Sequence, residues 1–202
     1  MYFLLGYSIQ DEKKDMRLNG TIYDYNQDTV GKIFDKGQYL DPSNINAPFI
    51  VILDEKDSRF KNRIRKDKIS IHVIQAGFLF LISPTAQLFF QNSTIDNLQY
   101  FDVAIRGNNF EISDYKIVNI LDKIDCVDFG ASDLKLYSDG RISRILKLVL
   151  DESKIPDGKQ IFQLGKFSAS AIVIHENIKQ KIEGAGLTGF SFTEFDKAYK
   201  LY

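Results

Sequence analysis

"FLISPTAQLFFQNSTIDNLQY" (Phe80–Tyr100) and "IVIHENIKQKIEGAGLTGFSF" (Ile172–Phe192) align without a gap at a constant shift of 92 residues. Ile82 falls on Ile174, Phe90 on Ile182, Ile95 on Leu187, Leu98 on Phe190 and Tyr100 on Phe192. In each copy an apolar run gives way to apolar residues at helical spacing, then to a turn and a second apolar run. Both copies therefore read as strand, short amphipathic helix, turn, strand. Ser83-Pro84 suits a helix start, because a serine caps orphan N–H groups and proline fits the first helical position. His175 holds the Ser83 position in the second copy and reads as a poorer cap, not as a catalytic group.

The second copy also contains Gly184, Gly186 and Gly189, which satisfy the dinucleotide spacing G-x-G-x-x-G. A pyrophosphate loop needs those glycines between a strand and the start of a helix. Here they follow a helix and precede a strand. Gly184 aligns with Asn92 and Gly189 with Asn97, and both residue types tolerate a left-handed backbone. The expectation is turn geometry common to both copies, with Gly184 as the helix C′ residue and Gly189 in the turn to the next strand.

Outward from the duplication, "YFLLGYSI" (Tyr2–Ile9), "PFIVIL" (Pro48–Leu53), "RISRILKLVL" (Arg141–Leu150) and "QIFQLGKF" (Gln160–Phe167) read as strands, and "PDG" (Pro156–Gly158) as a turn. From Ser113 onward, Ile117, Ile120, Leu121 and Ile124 fall at i, i+3, i+4 and i+7, which predicts a helix. Seven basic residues lie between Lys56 and Lys68 among four acids, the pattern of a solvated helix face. The fold class expected is α+β: mixed sheets with short helices and weakly duplicated strand–helix–strand units. The division expected is an N-terminal lobe over 1–105 and a C-terminal region over 106–202, with one continuous domain as the alternative.

Composition narrows the function classes. The 202 residues carry 26 Lys plus Arg against 27 Asp plus Glu, a formal net charge of −1. Nucleic-acid binding by the whole domain needs clustered positive charge, which that balance opposes. Cys126 is the only cysteine, so an intrachain disulfide and a Cys-rich metal site are excluded. The N-terminus lacks the positive start and apolar length of a signal peptide, and no run approaches the ~20 apolar residues of a membrane span. The expectation is a cytoplasmic protein with no membrane, nucleic-acid or cofactor partner.

Asp122, Asp125 and Asp128 form the densest carboxylate group. Paired carboxylates can act as acid and base or hold a hard cation. Read on the predicted helix, they suit a solvated, capping or partner-facing role better. Cys126 with His72 or His175 is a conceivable nucleophile–base pair, but buried cysteine is commonly a small apolar filler.

The order "VNILDKIDCVDF" (Val118–Phe129), "KIPDGKQIFQLGKF" (Lys154–Phe167) and "AIVIHENIKQKIEGAGLTGFSFTEF" (Ala171–Phe195) resembles a bacterial polymorphic-toxin immunity family. The resemblance rests on Asp125-Cys126-Val127-Asp128, on Ile161-Phe162, and on the closing motif from Ala185 through Gly186, Leu187 and Gly189 to Phe190. It implies a cytoplasmic protein that binds a cognate toxin stoichiometrically, with no catalytic residues and with structural motif positions. Asp122, Asp125 and Asp128 are the toxin-facing candidates. The rival expectation is a small hydrolase-like enzyme using Cys126 or those three carboxylates.

Overall fold

The computed structural model describes residues 1–7, 18–23, 34, 36–45, 48–53, 67–73, 77–107, 109–167 and 171–196. In chain order the strands are β1 (Tyr2–Tyr7), β2 (Leu18–Tyr23), β3 (Phe49–Leu53), β4 (Lys68–Val73) and β5 (Gly77–Ile82). Helix α1 (Pro84–Gln91) follows, then β6 (Leu98–Gly107), β7 (Phe110–Ile112), β8 (Lys116–Ile120) and β9 (Lys123–Ile124). The remainder is β10 (Asp133–Leu136), β11 (Ile142–Lys147), β12 (Ile161–Leu164), β13 (Ile172–His175), helix α2 (Glu176–Gly184) and β14 (Phe190–Thr193). The class is α+β, with mixed sheets and short helices.

The duplication is real and larger than its sequence trace. The helices start at Pro84 and Glu176 and bury Ala86 and Phe90 in one copy and Ile178 and Ile182 in the other, each pair offset by 92. Around each helix lies a sheet of the same connectivity. One contains the order β2-β4-β5-β8-β6 and the other the order β9-β12-β13-β1-β14. In both, the first pair is parallel and the next three are antiparallel.

Register matches as well as order. Leu81 pairs with Ile117, and its counterpart Val173 pairs with Leu4. Tyr100 pairs with Val118, and its counterpart Phe192 pairs with Leu5. The central strand of the second unit is thus β1, from the opposite end of the chain. Strands from both sides of residue 105 occur in both sheets. A split strand–helix–strand unit needs an antiparallel strand in its gap, and either chain end can supply it.

Three clusters of buried side chains define the layers. The middle cluster joins the units: Ile82, Phe90, Val118 and Ile120 from one meet Leu5, Ile174, Ile182 and Phe190 from the other. The Phe90 and Phe190 rings sit 6.2 Å apart there. The outer faces are covered differently. In the first unit β3 pairs with both β2 and β6, closing the sheet into a barrel around Phe49, Val51, Leu81, Phe101, Val103 and Ile117. In the second, the β10–β11 hairpin lies over Leu4, Cys126, Phe162, Leu164 and Val173, contributing Ile142 and Ile145.

The helix expected over Ile117–Ile124 is corrected to two strands, β8 and β9. β8 is central in its sheet, with Ile117 facing the barrel interior and Val118 and Ile120 facing the middle cluster. A strand buried on both faces has continuous apolar sequence, which imitates helical spacing over one turn. The charged run over 54–66 lies outside the described residues.

The glycine turn is corrected in detail. Gly184 is the last helical residue, Ala185 is the cap, and Gly186, at φ +67°, is the left-handed C′ residue. Gly186 N–H donates to Glu183 O at 3.0 Å and Leu187 N–H to Ile182 O at 3.2 Å, the paired bonds that close a glycine-capped helix. Gly189 is left-handed at φ +85°, but Asn97 is not. Asn97 is buried and used for its side chain: Nδ2 donates to Asp122 Oδ2 at 2.7 Å and to Ile161 O at 2.9 Å.

Candidate functional site

The Asp-Cys-x-Asp segment lies where the chain leaves the first sheet for the second. β8 ends at Ile120, and Asp122 stands at the crossing before β9. Asp122 Oδ2 accepts from Asn97 Nδ2 and from Lys159 Nζ, each at 2.7 Å, while its carbonyl accepts from Gln163 N–H at 2.8 Å. This carboxylate pins the two sheets to each other.

Asp128 does a different job. Its Oδ1 accepts from Gly130 N–H at 2.9 Å and Ala131 N–H at 3.0 Å, folding the turn over 128–132. Asp125 is exposed, and its Oδ2 meets Lys166 Nζ at 2.8 Å. The three carboxylates therefore have three separate sets of partners. Among the described residues no group of three His, Cys, Asp or Glu side chains is placed to hold a metal ion.

Cys126 is fully buried under the β10–β11 hairpin. Desolvation pushes its thiol up to about 11. A nucleophilic cysteine needs the reverse, a thiolate favoured by neighbouring positive charge. His175 is the N-cap of α2: Nδ1 accepts from Asn177 N–H at 3.2 Å, and the ring stands edge-on to Tyr2 at 4.9 Å. Burial, then the N-terminal ammonium, lowers its pKa. In the closing motif, Leu187 packs against the middle cluster and Phe190 is buried in it.

Large apolar side chains are exposed at several places, including Met1, Tyr39 and Leu88, and three of them, Phe129, Leu136 and Tyr137, lie on or beside the hairpin. Two of these rings carry cations: Lys166 Nζ lies 5.5 Å from the Phe129 centroid and Arg141 Cζ 5.9 Å from that of Tyr137. Arg141 is held by Asp139 at 2.8 Å. Lys166 has φ 54°, the one left-handed non-glycine among the described residues. Its carbonyl accepts from Ile142 N–H at 2.7 Å, so the turn at Gly165–Lys166 borders β11. Gly165 is required there, since a Cβ would come within 2.8 Å of Asp125 Cα.

Of the predicted residues, only Asp125 belongs to this aromatic and charged surface, through Lys166. Phe129, Tyr137, Arg141 and Lys166 were not legible as a group. The available signal was Asp139-Gly140 between apolar runs, a hairpin dipeptide, and Gly140 does sit at φ +79°. No helix among the described residues is long and apolar enough to cross a membrane.

A family model described as Immunity protein family (Imm11) matches residues 32–197. No curated protein matches the chain.

Proposed function

Because the chain belongs to the Imm11 immunity protein family, we propose that it neutralises a cognate bacterial toxin by binding it one-to-one in the cytoplasm. The observation that carries the reading is the family match, which covers residues 32–197 and so includes the hairpin, both helices and every strand but β1 and the barrel strand β2. The side chains a hydrolase would recruit already have structural employment. Asp122 ties the sheets together, Asp128 folds a turn, and Cys126 is sealed beneath the hairpin. Neutralisation by binding needs none of them to be reactive. It needs a stable scaffold that presents an anchor surface, and such surfaces concentrate their energy in aromatic and arginine side chains.

Co-expression tests this. The product of the adjacent open reading frame should arrest growth alone, and the chain should restore growth and co-purify with that product at equal stoichiometry. Failure to restore growth with every neighbouring toxin would count against the proposal. Cys126→Ala should protect fully. A folded Cys126→Ala protein that no longer protects, alongside a turnover lost with it, would favour the enzyme reading instead.

A further inference from the structure

We infer that the outer face of the β10–β11 hairpin is the toxin-docking surface and that it receives an acidic patch of the toxin. The inference rests on the immunity reading above and adds the surface and its chemistry. The first ground is where the two structural units differ. They share strand order, register and helix burial, yet one is closed by β3 while the other is covered by this hairpin. Shared packing accounts for the common framework. It does not account for the hairpin's outer face.

The second ground is charge. Lys135 and Arg144 are directly opposed in the antiparallel register. Like charges in that position destabilise a strand pair. Among the described residues no carboxylate is within ion-pair reach of either cation. Arg141 directly precedes β11, and Lys166 borders its start through the bond from Ile142 N–H to the Lys166 carbonyl. Those two are each held by a carboxylate, Asp139 and Asp125. The centre of the face is thus an unneutralised cation pair, with fixed, ring-stacked cations at its margin.

The third ground is apolar exposure at the same place. Tyr137, two residues beyond Lys135, is 52% exposed at the hairpin end, whereas Leu136 is in register with the buried Ile142 on the other face. A cation pair beside an exposed tyrosine fits a protein surface of carboxylates around an apolar pocket, where charge guides encounter and the ring anchors. The immunity reading supplies a protein as the partner, and the chain's formal net charge of −1 opposes nucleic-acid binding.

The test uses the full chain and, as probe, the inactivated toxin from the adjacent reading frame. Wild type, Lys135→Glu/Arg144→Glu and the milder Lys135→Gln/Arg144→Gln are titrated against it, with Lys181→Glu on α2 as a remote control. The expected result is a loss of affinity of about 100-fold for the double reversal. The glutamine pair should lose less, the control should bind like wild type, and salt should weaken wild type most. Unfolding midpoints of all variants, measured in parallel, show that each is folded. Wild-type binding with the double reversal within threefold overturns this surface while leaving the immunity reading intact. A wild type that binds no neighbouring toxin overturns both. Retention of an oligonucleotide at physiological salt, lost in the double reversal and without toxin binding, assigns the face to nucleic acid and also overturns the inference.

Discussion

Ser83 and His175 stand 92 residues apart and do the same work: each closes a strand, starts a helix and accepts a backbone N–H at 3.2 Å, from Ala86 and Asn177 respectively. Even their own amides are treated alike. Ser83 N–H donates to Asp67 O, immediately before β4, and His175 N–H to Gln160 O, immediately before β12. Two different side chains thus solve one problem, the orphan donors of a helix N-terminus.

The difference between the caps makes stability depend on pH. Nδ1 of His175 accepts a bond only when unprotonated, and burial with the N-terminal ammonium lowers its pKa in the folded protein. The unfolded chain binds the proton more readily, so this contribution is complete above the ordinary histidine pKa, about 6.5. It is lost as pH falls from there through the lowered folded value. The Tm of wild type should drop over that interval by more than the Tm of His175→Ser. Equal slopes would show that the cap is not titrating.

Neighbouring glycines should respond with opposite signs. Gly184 is helical with open space at its Cβ position, so Gly184→Ala should stabilise by about 0.5–1 kcal/mol. Gly186 has the same open space but a left-handed backbone, so Gly186→Ala should cost about 1–2 kcal/mol. Urea unfolding of the two variants decides it.

Asp122→Ala should destabilise the chain by about 1.5–3 kcal/mol, the range for a hydrogen bond to a charged group that leaves its partners behind. The partners stranded are Asn97 Nδ2 and Lys159 Nζ. Asp125→Ala, which breaks only an exposed pair with Lys166, should change stability by less than about 1 kcal/mol. Matching losses for the two would remove Asp122 from its place between the sheets.

Cys126 should resist a thiol reagent in native buffer and react at once in denaturant. It is fully buried, and its thiol is raised to about 11. Rapid native labelling would show an opening of the hairpin cover that the packing does not anticipate.

Phe90→Ala should cost about 3–5 kcal/mol, as for other fully buried aromatic side chains. Its ring lies between the units, against Phe190, so the loss should appear as one cooperative transition of the whole chain. Two resolved transitions would mean that the units unfold independently.

Local pattern carried far in this sequence. The strands at Tyr2, Phe49, Ile142 and Ile161, both helices and their exact offset followed from apolar spacing, capping residues and turn dipeptides, all of which act over a few residues. Pattern misled at Ile117–Ile124, where burial on two faces erased the alternation that marks a strand. It misled again at Asn97, whose amide serves Asp122 and Ile161 instead of a left-handed turn.

By itself the sequence determined that two copies of a strand–helix–strand unit exist, because capping and amphipathic spacing are local. Only the tertiary structure decided that β1 completes the second copy, that β3 closes one sheet while a hairpin covers the other, and that Lys135 faces Arg144. Strand partners are chosen by which edges and apolar faces meet after collapse. That choice depends on residues far apart in the chain, and no local spacing records it.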